Sequence, residues 1–135
     1  MKPLTLLLLL AAFTEGCANT MQQAPARGTF WGYVAESPTE RRVLVSFDRG
    51  ACEQVRQGNL NRRANVRTFS IPSACRQLVL GPGSDYWIVL ALYMPAGSYV
   101  GAATAEGCAA MNKTQSRDVE VTPWKCQPVG VRVVE

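Results

Sequence analysis

YWIVLALYM, residues 86–94, is the stretch that decides the fold. All nine residues are apolar or aromatic, and Gly83 and Pro95 bound the run. A run of this length and composition is typical of a strand buried on both faces of a sheet. Because Pro95–Ser98 has the composition of a turn and leads into Tyr99–Thr104, we predict a hairpin with residues 86–94 at the centre of the sheet.

Short β-branched and aromatic segments separated by Gly, Pro and polar residues recur along the rest of the chain. Counting the hairpin, they predict about eight strands: 29–35, 42–48, 66–71, 74–80, 86–94, 99–104, 119–122 and 129–134. Gly81–Ser84 is interpreted as a turn, Ala51–Gln57 as a short helix ended by Gly58, 105–111 as a helical turn, and 112–117 as a loop. The fold class predicted is mostly β, a small antiparallel sandwich or barrel with one or two short helices.

The first residues have a different character, with Lys2 followed by an apolar run from Leu4 to Phe13 that only Thr5 interrupts. Spanning a bilayer takes about 20 apolar residues, so this run is too short for a membrane span. The layout is typical of a secretory signal, which we place at residues 1–16. Residues 17–27 are polar and predict a linker, and residues 28–135 predict a single β-rich domain.

The signal ends in Thr14-Glu15-Gly16-Cys17, which resembles the cleavage motif of bacterial lipoprotein precursors. Gly16 and Cys17 match the motif, whereas Thr14 and Glu15 depart from it. The resemblance covers this segment only. It implies that Cys17 becomes the N-terminus and carries lipid, palmitate included, and that Ala18 is compatible with the periplasmic face of the outer membrane if the host has two membranes.

Two alternatives to lipidation stay open. Cleavage after Ala18 would leave a soluble secreted or periplasmic protein, and an uncleaved segment would act as a weak tether. The cysteine count favours lipidation, because five cysteines are an odd number for an exported chain and assigning Cys17 to lipid leaves four.

The other cysteines, Cys52, Cys75, Cys108 and Cys126, are predicted to form two disulfides, as expected in an oxidising compartment. The chain has no Cys-x-x-Cys pair and no histidine, so the sequence predicts no metal site and no cofactor. Four cysteines allow three pairings. Local order favours Cys52–Cys75 and Cys108–Cys126, each of which would tie a short helix to a following strand.

Catalysis is not predicted, because a chain without histidine cannot build a Ser-His-Asp triad or a Cys-His pair, and its carboxylates are scattered. The feature that does suggest binding is a basic segment from Arg41 to Arg76, with eight arginines and two carboxylates. Arginine pairs with phosphates and carboxylates through two parallel hydrogen bonds. The candidate anion-binding residues are Arg41, Arg42, Arg56, Arg62, Arg63 and Arg67.

The partners that fit an exported basic face are an anionic envelope polymer, lipid headgroups or an acidic protein, whereas the compartment disfavours nucleic acid. A solvated surface that only keeps the domain soluble is an equally good interpretation of these arginines. We therefore expect a small envelope protein, held to the membrane by its lipid, that acts as a non-catalytic binding or structural module. The alternative function is an inhibitor or accessory subunit of another exported protein.

Overall fold

The structure is a computed structural model, and it describes residues 24–62, 68–116 and 124–134. Its elements in chain order are β1 (Gly28–Glu36), β2 (Arg41–Ser46), α1 (Arg49–Leu60), β3 (Arg76–Leu90), β4 (Tyr99–Ala102), α2 (Ala105–Ser116) and β5 (Gln127–Val133). The predicted signal at residues 1–16, Cys17 and the predicted strand 119–122 lie outside the described residues.

The strands form a small closed antiparallel barrel. β1 pairs with β2, β2 with β4 and β4 with β3, and the first half of β3 pairs back with β1. β5 pairs with β3, and the pairing extends along β3 from Leu78 to Ile88. The mostly β prediction and the barrel alternative are therefore confirmed, as is the hairpin, in which Leu90 lies opposite Tyr99.

The described residues form five strands, whereas the sequence predicted about eight over the whole chain. The predicted strands 74–80 and 86–94 are parts of one strand, β3, which ends at Leu90. Of the predicted strand 66–71, the described residues contain only a single bridge between Ser70 and Glu36. Phe69 and Ile71 on either side of that bridge pack into a hydrophobic cluster instead of continuing a ladder.

The predicted turn at Gly81–Ser84 is a bulge, and the chain does not reverse there. Gly81 lies opposite Gly130 and Tyr86 lies opposite Val129, so four residues of β3 have no counterpart on β5. The backbones of Gly83 and Gly130 lie so close together that a Cβ atom on Gly83 would come within 2.8 Å of the Gly130 Cα. Gly83 also has φ +146°, which favours glycine. Two glycines let the strand bulge without leaving the sheet.

The alternation of side chains along the strands builds two hydrophobic clusters on opposite faces of the sheet. The inner core fills the barrel and includes Phe30, Val43, Val45, Leu78 and Ile88. The outer cluster lies beneath α1 and includes Tyr33, Ala35, Leu44, Cys52 and Phe69. Successive residues of β1 thus serve different cores, which fixes the register of that strand.

Both helices are longer than predicted. The side chain of Asp48 accepts a hydrogen bond from the Ala51 N–H at 2.7 Å and starts α1 at Arg49. Thr104 accepts one from the Gly107 N–H at 3.0 Å and starts α2. Residues 112–116, predicted as loop, belong to α2 because Gln115 bonds the backbone of the chain that leaves β3. Neither helix within the described ranges is long and apolar enough to cross a membrane.

Candidate binding cleft between the two helices

A cleft runs between α1 and α2 over the outer face of the sheet. It is an open groove of about 870 Å³, to which both helices and the segment 93–95 after β3 contribute side chains. A smaller, mostly apolar cavity of about 130 Å³, which we call the inner cavity, shares several of its residues. The groove and the inner cavity together form the candidate binding site, since concave sites of this kind are where most ligands bind.

Each helix beside the cleft is fastened to the rest of the fold by a disulfide. Cys52 of α1 is bonded to Cys75 just before β3, with Cα atoms 6.3 Å apart. Cys108 of α2 is bonded to Cys126 just before β5, with Cα atoms 6.2 Å apart. The predicted pairing is confirmed, and it gives the two sides of the cleft separate covalent anchors.

The anchor of α1 is reinforced by an ion pair. Arg56 is 6% exposed, and its guanidinium lies 2.7 Å from the Glu53 carboxylate and donates to the Pro72 carbonyl oxygen at 3.1 Å. Glu53 also accepts a hydrogen bond from the Cys75 N–H at 2.8 Å. That backbone hydrogen bond first, and the Arg56 guanidinium second, hold the pKa of Glu53 below its ordinary value. Arg56 is thus engaged inside the fold.

On the α2 side, the side-chain amide of Gln115 forms hydrogen bonds with the backbone groups of Leu90 and Leu92, at the end of β3. Its oxygen accepts from the Leu92 N–H at 3.2 Å and its NH₂ donates to the Leu90 carbonyl oxygen at 2.9 Å. The end of β3 is thereby joined to the last turn of α2. Asn112 on the same helix donates to the Trp124 carbonyl oxygen, close to the disulfide. The sides of the cleft are therefore held by polar contacts as well as by sulfur.

The inner cavity is lined by apolar side chains and contains one buried phenol. Its apolar residues come from β1, β2, β4, the 69–71 segment, the end of the β3–β4 hairpin and α2: Ala35, Val43, Leu44, Phe69, Ile71, Met94, Val100 and Met111. Tyr33 is 5% exposed, and its hydroxyl oxygen accepts a hydrogen bond from the Asn59 side chain at 2.6 Å. Burial raises the pKa of Tyr33 above 10, against the opposing effects of Asn59 and of the Arg56 charge, so the phenol stays protonated at neutral pH.

Two of the candidate anion-binding arginines line the cleft. Arg42 borders both parts of it, pairs with the Glu40 carboxylate at 2.8 Å, and lies over the Phe69 ring at 4.6 Å from its centroid. Arg62 is exposed and borders the groove. The positive charge at Arg42 is thus matched by a neighbouring carboxylate.

Of the other candidate arginines, the two that the structure describes do not line the cleft. Arg41 lies 3.7 Å from the Glu36 carboxylate in a pair that is more than half exposed, which contributes little to stability. Arg56 is buried in the ion pair described above. The remaining two candidates, Arg63 and Arg67, lie outside the described residues.

Sequence reasoning missed the residues that shape the inner cavity. Tyr33, Met94 and Met111 belong to three separate elements, and no motif or spacing relates them. They come together because closure of the barrel turns the outer face of β1 and β2 toward the space between the helices.

Among the described residues, no group of three or more His, Cys, Asp or Glu side chains converges in a way that could hold a metal ion.

Comparisons with protein-family models, with curated proteins and with solved structures found no match to this chain.

Proposed function

We propose that this protein is an exported envelope protein, anchored to the membrane by lipid on Cys17, that acts as a non-catalytic binding or structural module. The observation that carries the proposal is the pairing of the cysteines. Two disulfides use four of the five cysteines, and the fifth is the cysteine of the lipoprotein-like motif. Disulfides persist in oxidising compartments, which supports export.

The cleft between α1 and α2 is the binding site in this proposal. It has an apolar inner cavity, polar groups at its rim and sides with separate covalent anchors, as a preformed site requires. No histidine is available as a general base, and Glu40, a carboxylate that lines the groove, is paired with Arg42. These features favour binding over catalysis.

The anchor is tested by metabolic labelling with palmitate and by partition into detergent. We expect the wild-type protein to incorporate label and enter the detergent phase, and Cys17→Ala to do neither. Equal labelling of the two proteins would refute lipidation at Cys17 and leave the soluble secreted or periplasmic form as the explanation.

The binding role is tested by a photo-crosslinking amino acid placed at Gln54, which is exposed and borders the groove. Arg132, exposed on β5 and not among the residues that line the groove, is the control position. We expect a defined adduct in envelopes from position 54 and none from position 132. Adducts from both positions, or from neither, would contradict a binding role for the cleft.

The second candidate function is an inhibitor or accessory subunit of another exported protein, and the open groove favours it because a macromolecular surface can enter it. The same crosslink identifies the partner. If that partner is an enzyme whose activity changes when this protein is added, the accessory role is the correct one. An anionic polymer or lipid headgroup captured at Arg42 and Arg62 would instead support the simpler module.

A further inference from the structure

One edge of β5 pairs with β3, and in the part of the chain that the structure describes no strand pairs with the other edge. An unpaired edge presents backbone N–H and C=O groups to which another strand can add. Valine alternates with other residues along β5, at Val129, Val131 and Val133, and Arg132 is the one charged residue of the strand. By its composition, β5 is therefore a strand that another chain could extend.

The pairing with β3 shows which N–H groups of β5 point to this outer edge. The Val134 N–H donates to the Gln77 carbonyl oxygen at 3.0 Å, and Val131 lies opposite Leu80 in the same register. Successive N–H groups along a strand point to alternate edges, so the N–H of Val131 points away from β3. This N–H donates to the Asp85 carboxylate at 3.0 Å. An acceptor from the bulge in β3 therefore occupies the outer edge of β5.

Asp85 reaches that edge because the bulge at residues 82–85 crosses the outward face of β5. A Cβ atom on Gly130 would lie 2.5 Å from the Pro82 carbonyl oxygen. Both neighbours of Gly130 on β5 face the inner core, so Gly130 faces outward and the contact lies on the outer face of the strand. The bulge thus passes over β5 and ends with a carboxylate at its far edge.

The pairing of β3 with β5 does not itself require these four residues. Gly81 lies opposite Gly130 and Tyr86 lies opposite Val129, and the two partners are adjacent in β5. An even number of extra residues also leaves the inside–outside alternation of β3 unchanged. The contact between the bulge and the outer edge of β5 therefore has a reason beyond the ladder.

We propose that the bulge is a guard that prevents β5 from pairing with β5 of a second copy of this chain. In an antiparallel pair centred on Gly130, Arg132 would lie opposite Pro128, so no like charges would face each other. The edge is thus compatible with its own copy, and such a pair would be symmetric. The Asp85 carboxylate opposes it, because it occupies the Val131 N–H and brings a negative charge against the carbonyl oxygens of an incoming strand.

The test measures self-association of the full chain in detergent, with a photo-crosslinking amino acid at Arg132, which is exposed beside Val131. The wild type should give no crosslinked dimer. Asp85→Ala removes the acceptor and should give a dimer whose yield rises with protein concentration. Asp85→Asn keeps an acceptor oxygen and should give much less dimer than Asp85→Ala. Ser84→Ala, at another exposed residue of the bulge, is the matched control and should behave like wild type.

Three outcomes would overturn the proposal. The first is a crosslinked dimer from the wild type, and the second is the absence of a dimer from Asp85→Ala at every concentration. The third is a self-adduct of Asp85→Ala that forms equally well from a crosslinker at Gln54, which is exposed on α1. Association would then not run through β5.

Hydrogen exchange at low protein concentration separates the guard from a general loss of structure. Loss of one hydrogen bond in Asp85→Ala should speed exchange of the Val131 amide about two- to tenfold. The Val134 amide, which is bonded to Gln77, should exchange as in the wild type. Equal acceleration of both amides would show that the variant loosens the whole strand and would refute the specific role of Asp85.

Discussion

The Glu53 carboxylate accepts a hydrogen bond of 2.8 Å from the backbone N–H of Cys75, the residue whose sulfur is bonded to the same helix at Cys52. The two links, a disulfide and a hydrogen bond to a carboxylate, both join α1 to Cys75, the residue just before β3. The carboxylate also holds the buried guanidinium of Arg56. One acidic side chain therefore connects the disulfide, the helix and the buried arginine.

This arrangement predicts a pH-dependent stability. Because the pKa of Glu53 is lower in the folded protein than its ordinary value of 4.5, the folded state favours the ionised form. Its contribution is fully present above the unfolded pKa and is lost as the pH falls through the folded pKa. We expect Glu53→Gln to be less stable than wild type at neutral pH, and the difference in urea unfolding free energy to vanish in acid.

Glu106→Gln removes an exposed carboxylate from the first turn of α2 and serves as the control for that experiment. A difference between Glu53→Gln and wild type that stays constant down to the lowest pH at which the protein folds would show that the Glu53 charge is not coupled to folding.

The two disulfides should stabilise the protein independently, because they fasten different helices. Each closes a loop of about 20 residues, and in the chain-entropy account this contributes roughly 3 kcal/mol. We expect Cys52→Ser/Cys75→Ser and Cys108→Ser/Cys126→Ser each to lose about that much, and the fourfold variant to lose about the sum. Non-reducing peptide mapping of the native protein checks the pairing, and crossed pairs would contradict the structure.

Ile88 is the most useful position for testing the inner core. It is fully buried in the barrel, and its replacement by alanine should cost about 2–5 kcal/mol of unfolding free energy. Val133 is 46% exposed on β5, so Val133→Ala should change stability by less than about 0.5 kcal/mol. Similar losses for the two variants in chemical denaturation would show that the barrel interior is not the main core.

A hydrogen bond between two hydroxyls is buried beside the barrel strands. The Ser46 and Ser98 oxygens lie 2.8 Å apart, and both residues are fully buried. Removing one partner leaves the other hydroxyl unsatisfied, so Ser98→Ala should cost about 1–3 kcal/mol. We expect the double variant Ser46→Ala/Ser98→Ala to be less destabilised than the sum of the single variants, and strict additivity in a double-mutant cycle would argue against the pair.

Local signals in the sequence predicted much of the fold. The apolar run at 86–94 marked the hairpin and an interior strand, although Tyr93 proves to be 65% exposed beyond the end of that strand. Cysteine order predicted both disulfides, because each pair joins neighbouring elements.

The features that depend on tertiary contacts could not be predicted. Gly81–Ser84 has the composition of a turn, and only its pairing with β5 makes it a bulge. The end of α2 is fixed by Gln115 bonding Leu90 and Leu92, a contact that the sequence does not signal. The inner cavity forms only when the barrel has closed beneath two helices, so the sequence alone could not predict that Tyr33 lines it.

If the protein is exported as we propose, the disulfides that hold the two helices can form only after the chain has crossed the membrane. In the reducing cytoplasm, where thiols stay free, neither helix would be covalently held, and the space between them would have no fixed width. Oxidation after translocation would complete both anchors. On the proposed export route, we therefore expect the cleft to take its final width only on the far side of the membrane.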